Sequence, residues 1–352
     1  MKIALIIPDK SNTAPNLVAR ELAIQYRCKG HEVDLFYFRD CAEIEFPVVG
    51  DRIRLFGRSD FSSYDIVHSH MLRADLHIWL NKFWKTKGCT KFVSTIHNMV
   101  EVDNRYRYGF LKSIFLSRVW RLAWGAFDGL VVLTRAAEWY YAKFMPNLKT
   151  VVIPNGRTPD ECADLNFDDH VVLEKLKQEY SIIGSCALLS HRKGLDQIVR
   201  ALPLLPKCAF VLIGDGPAKE NLQDLARELG VLDRCVFMGF KDNAQSFLSY
   251  FDVYGMPSRS EGLPLALLEA AAHRKSIICS DIPVFREIFD DGEVSFFEID
   301  DIASIVNAVL KALVKREDYG AAAFCKYKKN YTAEKMAEKY LELYCSICGI
   351  KV

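Results

Sequence analysis

The chain has no apolar run near the ~20 residues that a membrane span needs, no internal repeat and no low-complexity tract. That excludes an integral helical membrane protein, a solenoid and a disordered tail. The opening MKIALIIPDK holds only six apolar residues before Pro8 and Asp9, which reads as a first buried strand and not as a signal peptide. A cysteine framework is missing as well. The count is eleven, an odd number, and the single CxxC (Cys345, Cys348) has no second pair or histidine cluster beside it. Disulfide scaffolds and zinc ribbons are therefore excluded. Helix packing is the expected role of that pair, with reduced thiols in a cytoplasmic protein. Nor is there a charge excess of one sign, since the formal net charge is +1. A nucleic-acid partner is not expected on that balance.

The neutral total hides an asymmetry. Residues 1–155 carry 22 Lys+Arg and 15 Asp+Glu, a net of +7, which leaves −6 for the remainder. The first half either faces an anionic surface such as a lipid diphosphate or is merely a soluble surface. Half the residues are hydrophobic and about a quarter charged, the composition of a folded enzyme. At 352 residues two cores are expected in place of one.

The pattern along the chain is strand then helix, repeated. Short apolar runs at 2–8, 31–37, 64–68, 90–96, 129–134 and 149–153 read as strands, the last running into the turn Pro154-Asn155-Gly156. The segment 156–169 is irregular and acidic, and the rhythm then restarts. Strands are expected at 182–189, 209–213, 234–238, 253–256 and 276–279. Helices are expected between them at 195–202, 218–229, 244–250 and 264–274. Apolar strands alternating with helices of this length mean parallel sheets covered on both faces. Two such Rossmann-like α/β domains are expected, at 1–158 and 159–332. A terminal helix over 333–352 either lies on the surface or crosses back to the first domain.

The most informative segment is PSRSEGLPLALLEAAA, residues 257–272. Ser258, Ser260 and Gly262 read as a flexible loop after a strand. Pro264 suits the first helical position, where its missing N–H would be unpaired anyway. The N–H groups of Leu265 and Ala266 are then aligned with the positive end of the helix dipole, a ready anion site suited to a diphosphate. Glu261 precedes the helix and Glu269 lies inside it, so the two stand roughly 8–12 Å apart at ~1.5 Å per residue. Carboxylates accept hydrogen bonds from vicinal hydroxyls, and that separation fits a sugar at one end of a diphosphate and a ribose at the other. Taken alone, the pair also fits two ordinary surface acids.

Three further segments point to the same sheet edge. SHRKGLDQI places Lys193 between a strand end and a helix start, where phosphates collect. VLIGDGP puts Gly214, Asp215 and Gly216 in a turn through which backbone approaches a ligand closely. VFMGF puts Gly239 and Phe240 at the end of the next strand. Ligands bind outside the carboxyl ends of strands in open α/β sheets, so the coincidence carries more than each motif alone.

These segments resemble glycosyltransferase family 4, the GT-B group that moves a sugar from a nucleotide sugar with retention of configuration. The resemblance rests on KGLDQIVRAL, LIGDGP, FMGF and the Glu-x7-Glu pair Glu261 and Glu269, and more loosely on IVHSH, STIHN, VVLT and IPNG. It implies GT-B architecture, two Rossmann-like domains facing across a cleft, and a hexosyltransferase. Glu261 would hold donor sugar hydroxyls, Glu269 the ribose and Lys193 the diphosphate. Gly214, Asp215, Gly216, Phe240, Gly262, Leu263 and Leu265 would line the phosphates and base, and His97 would reach the donor sugar. His97 also reads as a structural histidine closing a strand, as do His68 and His70.

Two departures from the family stand out. The arginine that usually joins the lysine on the diphosphate is Leu188 here; His191 or Arg192 is left to substitute, and Arg192 is the one expected. The glycine pair usual after the first strand is replaced by SNTAPN (11–16). There is no Asp-x-Asp to hold a divalent ion, so no cofactor or metal is expected; Lys193 and a helix N-terminus would neutralise the leaving group. Residues 105–124 mix Arg and Lys with aromatics at helical spacing. They read either as a helix on an anionic membrane or as a core-facing amphipathic helix. The expected partners are a nucleotide-sugar donor, with UDP favoured, and a glycan or lipid-linked acceptor in lipopolysaccharide, O-antigen or capsule synthesis, the enzyme being cytoplasmic or peripheral at the inner membrane face. A 2-epimerase-type nucleotide-sugar isomerase of the same architecture is the alternative reading, and a non-catalytic GT-B binding protein is a third.

Overall fold

The computed structural model describes residues 1–82, 89–97, 100, 109–145, 148–160 and 164–350. The chain divides into two compact units, residues 1–157 with 331–352, and residues 158–330.

The first unit holds a seven-stranded sheet. Its strands are β1 (Lys2–Ile7), β2 (Glu32–Tyr37), β3 (Gly50–Arg52), β4 (Ile66–His70), β5 (Lys91–Ile96), β6 (Gly129–Val132) and β7 (Thr150–Val152). The order is β3-β2-β1-β4-β5-β6-β7 and each pairing is parallel. The central strands are buried almost from end to end because both faces are covered: five of the six residues of β1 and all of β4 and β6 are buried. The described helices are α1 (Ala14–Cys28), α2 (Met71–Lys82), α3 (Phe110–Trp124) and α4 (Arg135–Phe144). Strand β4 runs two residues past the expected end, so His68 and His70 both lie inside it on one face.

The second unit begins with α5 (Phe167–Glu179) and holds six parallel strands. These are β8 (Ser181–Cys186), β9 (Cys208–Ile213), β10 (Cys235–Gly239), β11 (Val253–Met256), β12 (Ser276–Ser280) and β13 (Ser295–Phe297), in the order β10-β9-β8-β11-β12-β13. Between them lie α6 (Leu195–Ala201), α7 (Lys219–Glu228), α8 (Leu265–Ala272) and α9 (Pro283–Ile288), followed by α10 (Ile302–Val314) and α11 (Arg316–Asn330). The expected helix at 244–250 is a 3-10 helix (Ala244–Tyr250). The strand order reverses between β8 and β11, and that switch point opens a crevice beyond their carboxyl ends.

After α11 the chain returns to the first unit. The C-terminal helix (Ala333–Cys348) starts at Thr332, whose side chain accepts from the Lys335 N–H, and stops at Gly349 in the left-handed region. It packs along α1: the Tyr26 hydroxyl donates to the Tyr344 hydroxyl at 3.0 Å, both residues being buried. The return is tight. A Cβ on Gly156 would lie 2.2 Å from the Thr332 carbonyl oxygen, and the Arg157 N–H donates to the Tyr331 carbonyl. Arg157 itself forms a fully buried ion pair with Glu21 of α1. Glycine in IPNG is thus a packing requirement.

Candidate active site

Strands β8 and β11 deliver the acidic and basic groups of the second unit to one place. After β8 the chain turns through Ser190 and a short 3-10 helix (His191–Lys193), then passes Gly194 in the left-handed region at φ 63°. A Cβ there would lie 2.0 Å from the Pro257 carbonyl oxygen, so glycine lets this turn press against the end of β11. After β11 come Pro257, Ser258 and Glu261.

Glu261 is the centre of the arrangement. Its carboxylate is 6 % exposed and accepts from Lys193 Nζ at 2.5 Å, Arg192 Nη1 at 3.0 Å and Ser258 Oγ at 2.7 Å. Burial alone would raise its pKa. The adjacent Lys193 and Arg192 charges, with the hydrogen bonds from Lys193 and Ser258, outweigh that and hold it below the usual range. Two cations thus converge on one carboxylate. The expected loop flexibility is corrected here. Ser258 is fully buried, the Arg259 N–H donates to the Arg192 carbonyl at 2.8 Å, and Arg192 also donates to the Ser260 carbonyl.

Residues that no motif flagged hold this turn in place. Gln197 is fully buried on α6; its amide donates to the Pro257 carbonyl at 2.8 Å and accepts from the Asp300 N–H at 2.7 Å. Arg259 makes a bidentate pair with Asp196 at 2.8 and 3.0 Å and also reaches Asp300. Gln197 has no sequence signature, because Pro257 and Asp300 are distant from it in the chain and converge on it only in the fold.

The helix geometry is shifted by one residue from the sequence expectation. Pro264 is the N-cap, with ψ 126°, and α8 begins at Leu265. The first-turn N–H groups of Leu265 and Ala266 still have no partners within the helix. Glu269 sits in the middle of α8, half-buried; burial pushes the Cys186 thiol up, and the Glu269 charge adds to that. Leu263 and Leu265 are buried and Gly262 half-buried around the same helix start. Phe240 is exposed after β10.

The glycines of the GDG turn have a role inside the protein. A Cβ on Gly214 would lie 2.0 Å from the Ala187 carbonyl oxygen, and one on Gly216 would lie 2.4 Å from that of Leu189. The turn hugs the segment after β8, with Leu189 N–H bonded to the Asp215 carbonyl. Asp215 is tied to Lys219 at 3.1 Å. Leu188, in place of the family arginine, is exposed.

In the first unit the carboxyl ends of β4 and β5 carry histidines. His70 Nδ1 and His97 Nε2 are 2.9 Å apart, and His68 Nε2 lies 2.7 Å from Thr95 Oγ1. The Tyr344 hydroxyl lies 2.7 Å from His68 Nδ1. Burial depresses all three, His68 and His97 to about 3 and His70 well below its ordinary value, so each is neutral. After β1, the 11–16 loop folds over buried Asp9, which accepts from Asn16 at 3.3 Å. Asn98 of STIHN and residues 105–108 lie outside the described residues. In α3, Trp120 and Trp124 point inward. Their indole N–H groups donate to the fully buried Asp75 at 2.5 and 3.1 Å, alongside Ser69 and Ser94. That part of the helix is core-facing, while Phe115, Arg118 and Leu122 are exposed. No described helix is long and apolar enough to cross a membrane, and among the described residues no three His, Cys, Asp or Glu side chains converge as a metal site would require.

Comparison with known proteins fits this geometry. Residues 168–329 match the family described as Glycosyl transferases group 1, and residues 53–161 match Glycosyltransferase Family 4. Over 349 residues, 98 % of each chain, the protein is 31 % identical to the O-antigen biosynthesis glycosyltransferase WclY of Escherichia coli. The chain belongs to the family 4 glycosyltransferases. Among solved structures, the sucrose-phosphate synthase of Thermosynechococcus elongatus superposes with a TM-score of 0.79 at 18 % identity, covering 99 % of both chains. HepE of Anabaena, in complex with UDP and glucose, superposes with a TM-score of 0.79 at 16 % identity, covering 98 % of this chain and all of its own. These likenesses give the glycosyltransferase its GT-B architecture, built here from two parallel-sheet α/β units.

Proposed function

We propose that this glycosyltransferase moves a hexose or N-acetylhexosamine from a UDP-sugar to a hydroxyl of a glycan or lipid-linked acceptor, with retention, in bacterial surface-polysaccharide synthesis. The observation that carries the reading is the Glu261 carboxylate held by Lys193, Arg192 and Ser258 beside the start of α8. The pathway follows from the likeness to an O-antigen enzyme, and the UDP donor from the fold shared with HepE, solved with UDP and glucose.

The chemistry follows from the charges. When a diphosphate enters, Lys193 and Arg192 have an anion to bind in addition to Glu261. Together with the free N–H groups of α8 they stabilise the negative charge that develops as the sugar–phosphate bond breaks. Glu261 accepts hydrogen bonds from sugar hydroxyls and Glu269 from the ribose. His97, neutral, contacts a sugar hydroxyl. The acceptor hydroxyl attacks from the face the diphosphate leaves and gives its proton to the departing diphosphate oxygen, and no protein nucleophile is used. Charge neutralisation by Lys193, Arg192 and the helix makes a divalent ion unnecessary. The exposed Phe115, Arg118 and Leu122 of α3 suit contact with an anionic bilayer presenting a lipid-linked acceptor.

A panel of nucleotide sugars tests this, scored for thermal stabilisation and for transfer to lipid-linked acceptor. UDP-sugars should raise the melting temperature and give acceptor-dependent UDP release. Absence of any shift across the panel overturns the donor site. UDP release with no product on any acceptor favours isomerase chemistry.

A further inference from the structure

The histidine cluster of the first unit has one atom whose state decides its chemistry. His70 is fully buried, and its Nε2 has no hydrogen-bond partner among the described residues. Its other nitrogen, Nδ1, is 2.9 Å from Nε2 of His97. Both rings are neutral, because burial disfavours the charged form of each. A neutral imidazole carries one proton, so only two arrangements exist. In the first, His70 donates from Nδ1–H to His97, its own Nε2 is a bare acceptor, and His97 keeps its proton on Nδ1. In the second, His97 donates from Nε2–H, and His70 must carry its proton on the buried Nε2, where nothing accepts it. Buried N–H groups without an acceptor are rare, whereas an unfilled acceptor lone pair is tolerated more often.

The surroundings hold His70 in position without offering its Nε2 a partner. Tyr26 donates to Tyr344, which therefore donates its own proton to His68 Nδ1. His68 then carries Nε2–H and donates it to Thr95, which passes its own hydroxyl proton to Tyr340 at 2.7 Å. The committed His68 ring lies against His70, centroids 4.3 Å apart, and His70 lies against His97 at 5.2 Å. Tyr340 and Tyr344 belong to the C-terminal helix, so this returning helix supports the row.

We propose that His70 is a positioning residue that fixes His97 as the Nδ1–H tautomer, so that His97 presents a hydrogen-bond donor to a hydroxyl oxygen of a bound sugar. The sugar contact rests on the function proposed above; the tautomer does not.

Two measurements on the full chain separate these claims. The first is the nitrogen-15 spectrum of histidine-labelled protein at neutral pH, with His97 and His70 assigned from His97→Asn and His70→Asn samples. Protonated Nδ1 and bare Nε2 on His97 are expected; a proton on Nε2 of His97 overturns the proposal whatever the activity. The second is steady-state kinetics. An asparagine amide places an N–H close to the imidazole Nδ1, so His70→Asn should keep turnover within about threefold, while His70→Leu and His70→Asp should lower kcat/KM at least about tenfold. The aspartate offers only an acceptor and should move the His97 proton to Nε2. Equal losses in Asn and Asp variants of unchanged melting temperature overturn the donor role. If His70→Leu fails to fold, the wild-type spectrum and the Asn–Asp pair still decide. Wild-type activity in His97→Ala would remove the sugar contact from the proposed function while leaving the tautomer intact.

Discussion

The two units solve the same problem, presenting polar groups at the carboxyl edge of a parallel sheet, by opposite electrostatic means. In the second unit Glu261 stays charged although buried, because Lys193 and Arg192 lie within hydrogen-bond distance. In the first, His68, His70 and His97 lose their charge because burial is opposed by no nearby acid among the groups that shift them. One edge suits a charged ligand; the other suits neutral hydroxyls.

The largest expected effect breaks the ionic edge. Lys193→Ala should lower kcat/KM by about 10²–10³, the cost of losing one preorganised charge-stabilising donor, with far-ultraviolet circular dichroism unchanged because Arg192 and Ser258 still satisfy Glu261. Wild-type turnover would remove Lys193 from the phosphate role.

Acid separates the units next. His68 and His97 have folded values near 3 against about 6.5 when unfolded, so the unfolded chain takes up protons first as pH falls. Stability that is full above about pH 6.5 is lost progressively on going down to about 3. Glu261 is also depressed, but its contribution is lost only below the ordinary carboxylate range. Asp75, raised by burial, partly offsets the histidines. Hydrogen exchange at pH 5.5 against pH 7.5, corrected for intrinsic rate, should show β4 and β5 losing protection while β8 and β9 keep it. Equal loss in both units would sink this contrast.

A gentler change adds charge. Leu188 is exposed, so Leu188→Arg should fold normally and tighten UDP binding up to about fivefold, as a partly exposed charge pair allows. Calorimetry at two salt concentrations checks this, the gain shrinking at high salt. Weaker binding would mean that Leu188 faces away from the diphosphate. The smallest expected effect is zero: millimolar chelator should leave transfer rates unchanged, and inactivation reversed by a divalent ion would replace the metal-free mechanism.

Much of the fold was legible in the chain. Runs such as IALII and CAFVLI are apolar throughout because both sheet faces are covered, and that pattern marks parallel strands before any coordinates. Short or polar elements escaped the reading, β3 (Gly50–Arg52) and β13 (Ser295–Phe297) among them, because three residues leave no period to detect. Near the site, Glu261 and Lys193 stood out by type and spacing. Ser258 looked like loop, and Asp196, Gln197 and Arg259 looked like nothing in particular.

The sequence by itself determined the alternation of strand and helix, the placing of acids and bases after strands, and the departure at Leu188, because these depend on order and spacing along the chain. Only the tertiary structure decided what those groups are. It determined that Glu261 is buried between two cations, that Gly214, Gly216 and Gly156 are demanded by neighbouring backbone, and that His70 touches His97. Charge state, tautomer and steric need depend on what lies within a few ångströms in space, and those neighbours are up to hundreds of residues away in the chain.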